Sequence, residues 1–379
     1  MHNPPSIKKI TLDWGCKRNI YASRMHKYES DCIMKVAVVG ARGYSGLELV
    51  RILLKHPKVK IEVCFATDAE FTLSDYLPEN EASRISILPM DQFDSIAAGV
   101  NTVFLATPAE VSMKLAPRAL KLGADVIDLS GAFRLSSAAA REWYGLSEEG
   151  QSCLSQAEYG LTPWVGPSVK KGPRLISNPG CYATACLMAL LPILKDGVID
   201  PSTLVIDAKS GATGAGRKAA ENLLFAEVEG DCLPYKVGKH QHLPEIREHA
   251  ARFASIEVDP MFVTHLLPVR RGILAGLYAK VKPGISLGAI DEAYRRAYDG
   301  YSLVRFGAVD ESKRHQLTLK RVVGSARSEI RYELKGNHLY VFSFIDNLMK
   351  GAASQAIENF NRLYDFPLTA VLDNIEGVL

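Results

Sequence analysis

The chain has 379 residues, 47% of them hydrophobic, a length that suits two or three domains built on sizeable cores. Its net charge of +3 resides entirely in residues 1–33, which carry six basic side chains against three acidic ones, and the neutral body excludes nucleic acid as the main partner. No run approaches the roughly 18 apolar residues of a membrane span. The leading 33 residues have no apolar core segment and are not a secretory signal. Asp13, Glu29 and Asp31 speak against a transit peptide, so the segment reads as a disordered arm or an over-extended start.

From Met34 onward strands alternate with helices. Val36–Val39 is a short buried strand, Gly40-Ala-Arg-Gly-Tyr-Ser-Gly46 a turn, and the next segment an amphipathic helix with Leu47, Val50 and Leu54 on one face. Apolar runs at Ile61–Ala66, Thr102–Thr107 and Asp125–Ser130 add strands, which together give a Rossmann-type parallel α/β sheet with right-handed crossovers. Leu175 and Ile176 then lead through Asn178-Pro-Gly180 to Cys181 and an apolar helix from Tyr182 to about Lys195. Beyond it come Leu204–Lys209, Phe262–Val269, Leu274–Val281, Leu317–Val323 and Glu329–Leu334, with Lys335-Gly-Asn-His338 turning into Leu339–Ile345. Strands clustered this way predict an α+β domain on a largely antiparallel sheet, whose broad face suits self-association. The segment from Asn347, apolar at Met349, Ala352, Ala353, Ala356, Ile357 and Phe360, predicts a helix returning to the first domain. The division expected is therefore 34–178 completed by 347–379, with 179–346 between them.

Three motifs carry chemistry. Cys181 falls at a predicted helix N-terminus, where free backbone N–H groups and the helix dipole favour a thiolate and lower the thiol pKa. The alternative is a buried, inert core cysteine. Seven cysteines with no CxxC spacing imply neither a disulfide framework nor a zinc site and suit a reducing cytoplasm. Gly40, Gly43 and Gly46, between a strand and a helix and without an acid inside the loop, predict that the backbone of Tyr44, Ser45 and their neighbours faces a pyrophosphate. Arg42 in that loop would suit a 2′-phosphate and hence NADP, whereas Asp68 after the second strand would suit the ribose of NAD. Thr107 and Pro108 mark a second edge of the cofactor cleft, and Ser210-Gly-Ala-Thr-Gly-Ala-Gly216 is a further glycine loop that borders the cleft or merely turns.

The third motif is Gly238-Lys-His-Gln-His-Leu-Pro-Glu245. His240 and His242 alternate in an extended stretch, Pro244 opens a helix and Glu245 lies in its first turn. A metal would need a third ligand at plain spacing, and none is found, so no metal is expected. A surface loop is the bland reading; a general acid/base partner for Cys181 is the sharp one. Arg134 and Arg271 offer planar paired donors to an anionic substrate, although either alone is also consistent with a surface ion pair.

With these motifs in place the chain resembles the N-acetyl-γ-glutamyl-phosphate reductases of arginine biosynthesis, within the aspartate-semialdehyde dehydrogenase superfamily. The resemblance spans Met34 to Leu379. It rests on Ile176-Ser-Asn-Pro-Gly-Cys-Tyr-Ala-Thr-Ala185 with Pro192, both glycine loops, Gly238–Ile246 and the stretch from His265 through Arg271-Gly-Ile. It implies Cys181 as nucleophile, His240 as acid/base and NADPH as cofactor with Ser210, Gly211 and Asn347 among its contacts. The antiparallel second domain makes a homodimer or homotetramer the expected assembly. Arg134, His242, Glu245 and Arg271 are the residues expected to position substrate. Ala132 departs from the family's usual Ser-Ala-Asp-Phe-Arg, which leaves Arg134 in place and removes an acid. Sister reductases acting on aspartyl phosphate or a carrier-linked aminoadipyl phosphate are the nearest alternatives. A non-catalytic NADP-binding regulator and a Cys/His hydrolase are the others.

Overall fold

The computed structural model describes residues 33–66, 71–78, 80–144, 151–166, 172–373 and 375. The leader and Asp68 lie outside them. Two seven-stranded sheets organise the described chain.

The first sheet contains β1 (Met34–Val39), β2 (Val59–Phe65), β3 (Ile87–Leu88), β4 (Thr102–Leu105), β5 (Asp125–Asp128), β6 (Glu158–Tyr159) and β7 (Leu175–Ser177). They run in the order β3-β2-β1-β4-β5-β7-β6, every neighbour parallel, as the alternating sequence predicts. Such a sheet must be covered on both faces, which is why its strands are continuous apolar runs. On one face lies α1 (Tyr44–Leu54), which buries Leu49, Val50 and Leu53. On the other lies α2 (Ala109–Lys121), with Met113, Leu115 and Ala116 against Val103 and Val126.

The second sheet contains β8 (Val205–Gly211), β9 (Leu233–Pro234), β10 (Met261–Leu267), β11 (Ile273–Lys280), β12 (Val304–Ala308), β13 (Ser328–Lys335) and β14 (His338–Ile345). It is mixed and mostly antiparallel, ordered β12-β13-β14-β11-β8-β10-β9. The β13–β14 hairpin turns where the sequence predicts, with Lys335 opposite His338. One reading needs correction. Leu317–Val323 is not a strand: it holds a single 3-10 turn at Leu319–Arg321, because no neighbouring strand accepts its β-branched run. The strand in that region is β12, which gains its identity only by parallel pairing with β13.

Three helices pack with this sheet: α3 (Cys181–Lys195), α4 (His242–Ala254) and α5 (Leu287–Tyr298). Every residue of α3 from Tyr182 to Leu194 is buried, as expected of a helix apolar all round. The last helix, α6 (Ser354–Leu363), follows a π-helical turn at Met349–Ala353. Met349, Ala353, Ala356, Ile357 and Phe360 pack with Val36, Leu49 and Phe104, so the tail does return to the parallel sheet. Within it Lys350 is fully buried, its Nζ 2.8 Å from both oxygens of the equally buried Glu358 and 3.1 Å from the Thr162 carbonyl.

Candidate active site

Cys181 is the first residue of α3, immediately after the turn that leaves β7. Gly180 caps the helix in extended conformation without any side-chain cap. The buried carboxylate of Glu245 reaches this turn from α4 instead: its Oε1 accepts from the Gly180 N–H at 2.8 Å and from the Tyr159 hydroxyl at 2.8 Å. A Cβ on Gly180 would lie 2.3 Å from His242 Nε2 and 2.8 Å from an Arg134 nitrogen, so any other residue there would displace those two side chains. Arg134 is buried below the turn, donating to the Asn178 carbonyl at 2.9 Å and the Leu129 carbonyl at 2.7 Å. Asn178 is itself bonded to the Ala352 carbonyl at 3.1 Å and to Asn359 at 3.1 Å. The nucleophile's turn is therefore held from three directions before any ligand arrives.

The electrostatics differ from the expectation drawn from helix position alone. Burial pushes the Cys181 thiol up to about 11; the Arg134 guanidinium and the Tyr182 backbone N–H oppose this, and Glu245 adds to it. Desolvation is the largest of these influences even though Cys181 itself is half-buried, and it outweighs the Arg134 charge and the backbone N–H groups together. Burial, reinforced by Lys236, pushes His240 down to about 4. His242 is held well below the ordinary histidine value by burial, His240 and Arg134. Both imidazoles are thus neutral at physiological pH.

His240 is tied in on both sides of its ring. Its Nδ1 accepts from the His242 N–H at 3.2 Å, and its Nε2 lies 3.4 Å from the Tyr235 hydroxyl. Tyr235 donates to the Tyr182 hydroxyl at 3.2 Å, and Tyr182 to the His265 carbonyl at 3.2 Å. The rings of Tyr182 and His240 meet edge to face at 5.2 Å. His242 opens α4 instead of extending a strand. Its Nδ1 and the Oε2 of Glu245 are buried without a hydrogen-bond partner, and Oε2 stands 3.9 Å from both Arg134 and His242. Buried polar atoms left open in this way are uncommon unless something else is meant to meet them.

A second constellation gathers the glycine loops. Gly40 has φ +85°, and a Cβ there would fall 2.3 Å from the Ala106 carbonyl oxygen; one on Gly46 would fall 2.3 Å from the Gly40 carbonyl oxygen. No side chain caps α1, whose first residues are Tyr44 and Ser45. A loop that lets backbone come this close, ending at an uncapped helix N-terminus, fits a dinucleotide pyrophosphate. Pro108 caps α2, and Thr107 shares a 2.8 Å hydrogen bond with Ser112. Asn347 links the second glycine loop to the β10–β11 connection: its amide donates to Thr213 at 3.0 Å while its oxygen accepts from the Gly272 N–H at 2.8 Å. Ser210 and Gly211 end β8 beside it, and Arg217 donates from that loop to the Arg42 carbonyl at 3.0 Å. The two glycine loops are thereby joined.

Residues 181–347 match the family model described as the semialdehyde dehydrogenase dimerisation domain, and residues 35–171 the semialdehyde dehydrogenase NAD binding domain. An N-acetyl-gamma-glutamyl-phosphate reductase of Geobacillus thermodenitrificans is 40% identical over 349 residues, 91% of this chain and 98% of that protein. One from Geobacillus stearothermophilus is 40% identical over 333 residues, 87% of this chain and 95% of its own length. The chain belongs to the N-acetyl-gamma-glutamyl-phosphate reductase family. Its fold is shared more widely. Aspartate semialdehyde dehydrogenase II from Vibrio cholerae superposes with a TM-score of 0.66 at 16% identity, covering 88% of this chain and 98% of that one.

Against this family background, Cys181, His240, His242, Glu245 and Arg134 come together around one turn, although up to 111 positions separate them. Arg271 is engaged elsewhere: it pairs with Glu48 of α1 and lies 3.7 Å from Asp346. Tyr182 and Tyr235, which line His240, were not singled out in the sequence. Tyr182 adjoins the cysteine within the motif, but nothing local signals that Tyr235 folds back onto it. Among the described residues no cluster of three His, Cys, Asp or Glu is placed to hold a metal ion, and no helix is long and apolar enough to cross a membrane.

Proposed function

We propose that the chain reduces N-acetyl-L-glutamyl 5-phosphate with NADPH to N-acetyl-L-glutamate 5-semialdehyde, a step of arginine biosynthesis, through a thioester on Cys181. The observation that carries this reading is Cys181 at the uncapped N-terminus of a buried helix, with Arg134 below it and neutral histidines in the same cluster. His240, its ring edge to face with Tyr182 beside the cysteine, is the proposed acid/base residue. With the imidazole near 4 and the thiol near 11 in the protein alone, proton transfer between them waits on a bound substrate that changes both surroundings. The sulfur bonds to the acyl carbon, the carbon–oxygen bond to phosphate breaks, and inorganic phosphate leaves. The glycine loops and Asn347 would hold the nicotinamide nucleotide, which supplies the hydride. His240 returns its proton to the oxygen developing on the former acyl carbon, then removes it as the carbon–sulfur bond breaks and aldehyde departs.

Arg134, His242 and Glu245 are the residues that would position the substrate, a role supported by their gathering at the Gly180–Cys181 turn. NADP preference is read from Arg42, whose loop Arg217 adjoins. The second sheet supports self-association as a homodimer or homotetramer, and the cytoplasm is the expected compartment. The phosphate-dependent reverse reaction, run on each semialdehyde with NADP and with NAD, tests the assignment. Turnover of N-acetylglutamate semialdehyde is expected; turnover of only the aspartate or the carrier-linked aminoadipate compound would overturn it.

A further inference from the structure

Asp346 ends β14's run into the π-turn and is fully buried. Its Oδ1 accepts from the N–H groups of Leu348 at 2.7 Å and Met349 at 3.1 Å, and its Oδ2 from the Gly324 N–H at 2.7 Å. Its backbone oxygen accepts from the Gly351 N–H at 2.9 Å, the i to i+5 bond that widens this turn from α to π. The wider turn brings Gly351 onto the nucleophile. A Cβ there would lie 2.8 Å from Cys181 Cβ and 3.3 Å from its Cα, so the turn forms a wall directly behind Cys181.

The same aspartate faces Arg271, 3.7 Å away, and Arg271 is bonded to Glu48. Glu48 belongs to α1, the helix that starts from the first glycine loop. Arg51 of the same helix grips Glu48 and lies 3.8 Å from the sulfur of Met349 in the π-turn. Two contacts therefore fasten the nucleotide-loop helix to the turn that backs the cysteine. Binding a substrate anion through Arg271 would compete with its charge-assisted bond to Glu48 and with the nearby Asp346 carboxylate.

We propose that Asp346 and Arg271 are positioning residues for Cys181: Asp346 holds the π-turn against the nucleophile, and Arg271 ties that turn to the glycine-loop helix without touching substrate. This rests on the reading of Cys181 as the nucleophile. The test uses the full chain as Arg271→Met, Arg271→Lys, Asp346→Asn and Gly351→Ala. Acylation is followed as phosphate release from N-acetylglutamyl phosphate without NADPH, thiol reactivity as the pH profile of iodoacetamide alkylation at Cys181, and cofactor binding by NADPH fluorescence. Arg271→Met and Asp346→Asn are expected to slow acylation by about tenfold or more while KM stays within about threefold. Lysine at 271 should recover part of that loss. Gly351→Ala, whose new methyl meets Cys181 itself, should displace the alkylation profile with NADPH affinity retained, which also shows that the variant is folded. A tenfold rise in KM for Arg271→Met at unchanged kcat would make Arg271 a substrate ligand and overturn the proposal. An unchanged alkylation profile in Gly351→Ala would overturn it as well. Absence of acylation in the unaltered protein would instead remove the nucleophile reading beneath it.

Discussion

At Cys181 two opposing influences act on one sulfur atom, and burial wins. A thiol pushed up to about 11 carries little thiolate at neutral pH, so its reactivity depends on a base or on a ligand that changes its surroundings. Iodoacetamide alkylation of Cys181 in the protein alone should therefore keep rising with pH from 7 to 10; a plateau near pH 7 would mean the helix terminus and Arg134 prevail after all. Cys181→Ala should abolish turnover while NADPH affinity changes by less than about threefold, under 1 kcal/mol. Equal loss of cofactor binding, measured by fluorescence titration, would mark the cysteine as structural. Glu245 shows how far a residue's role can lie from its neighbourhood in the chain. Its place in the first turn of α4 is legible in the motif, but its hydrogen bond to Gly180 spans 65 positions. That bond exists only because α3 and α4 pack side by side.

The helices and turns show how local sequence and tertiary contacts divide the work. The first glycine loop is readable because its requirement is local: Gly40 needs a positive φ and clearance from Ala106. Gly40→Ala should cost about 1–3 kcal/mol of stability by chemical denaturation, together with cofactor affinity. An unaffected variant would mean that the loop is not tightly packed. The π-turn before α6 is not legible in the same way, since the extra residue per turn depends on Asp346 capping it and on Lys350 finding Glu358. Lys350→Met leaves Glu358 buried without its counter-charge, and unfolding experiments should register a loss of about 3–5 kcal/mol. Adding Glu358→Leu should restore much of it, because an apolar pair avoids the desolvation of both charges. A double variant no better than the single one would show that shape, not charge, is what the site demands. The misread run at Leu317–Val323 teaches the converse: β-branched residues favour a strand only where a neighbouring strand is present to pair with them.

For the molecule as a whole, burying neutral histidines next to the reactive turn has a consequence for acid stability. Burial lowers His240 to about 4 and His249 to about 3 from an ordinary 6.5. The unfolded chain therefore takes up protons first as pH falls, and the histidine contribution to stability declines from about pH 6.5 downward until the folded rings protonate too. Glu245 and Asp128, whose carboxyls burial raises, act in the opposite direction. A variant comparison isolates the histidine share. His249→Asn should lessen the fall in stability between pH 6 and 5 by up to about 1.4 kcal/mol per pH unit, read from urea unfolding at each pH. Parallel pH dependences for the two proteins would refute it.

What the sequence alone determined rests on short-range geometry and hydrophobic periodicity. The parallel strands, the glycine loop, Cys181 at a helix start, the β13–β14 hairpin and the returning apolar helix all follow from patterns a few residues long. Only the tertiary structure decided which atoms meet across the fold: Arg134 and Glu245 at the cysteine's turn, Tyr235 at His240, and Arg271 on Glu48 and Asp346. It also decided the direction of the thiol's pKa, because desolvation depends on how much of the whole molecule closes over an atom. A helix terminus can be seen in a dozen residues of sequence. The burial that overrides it is contributed by distant chain, Gly351 among it, 170 positions further on.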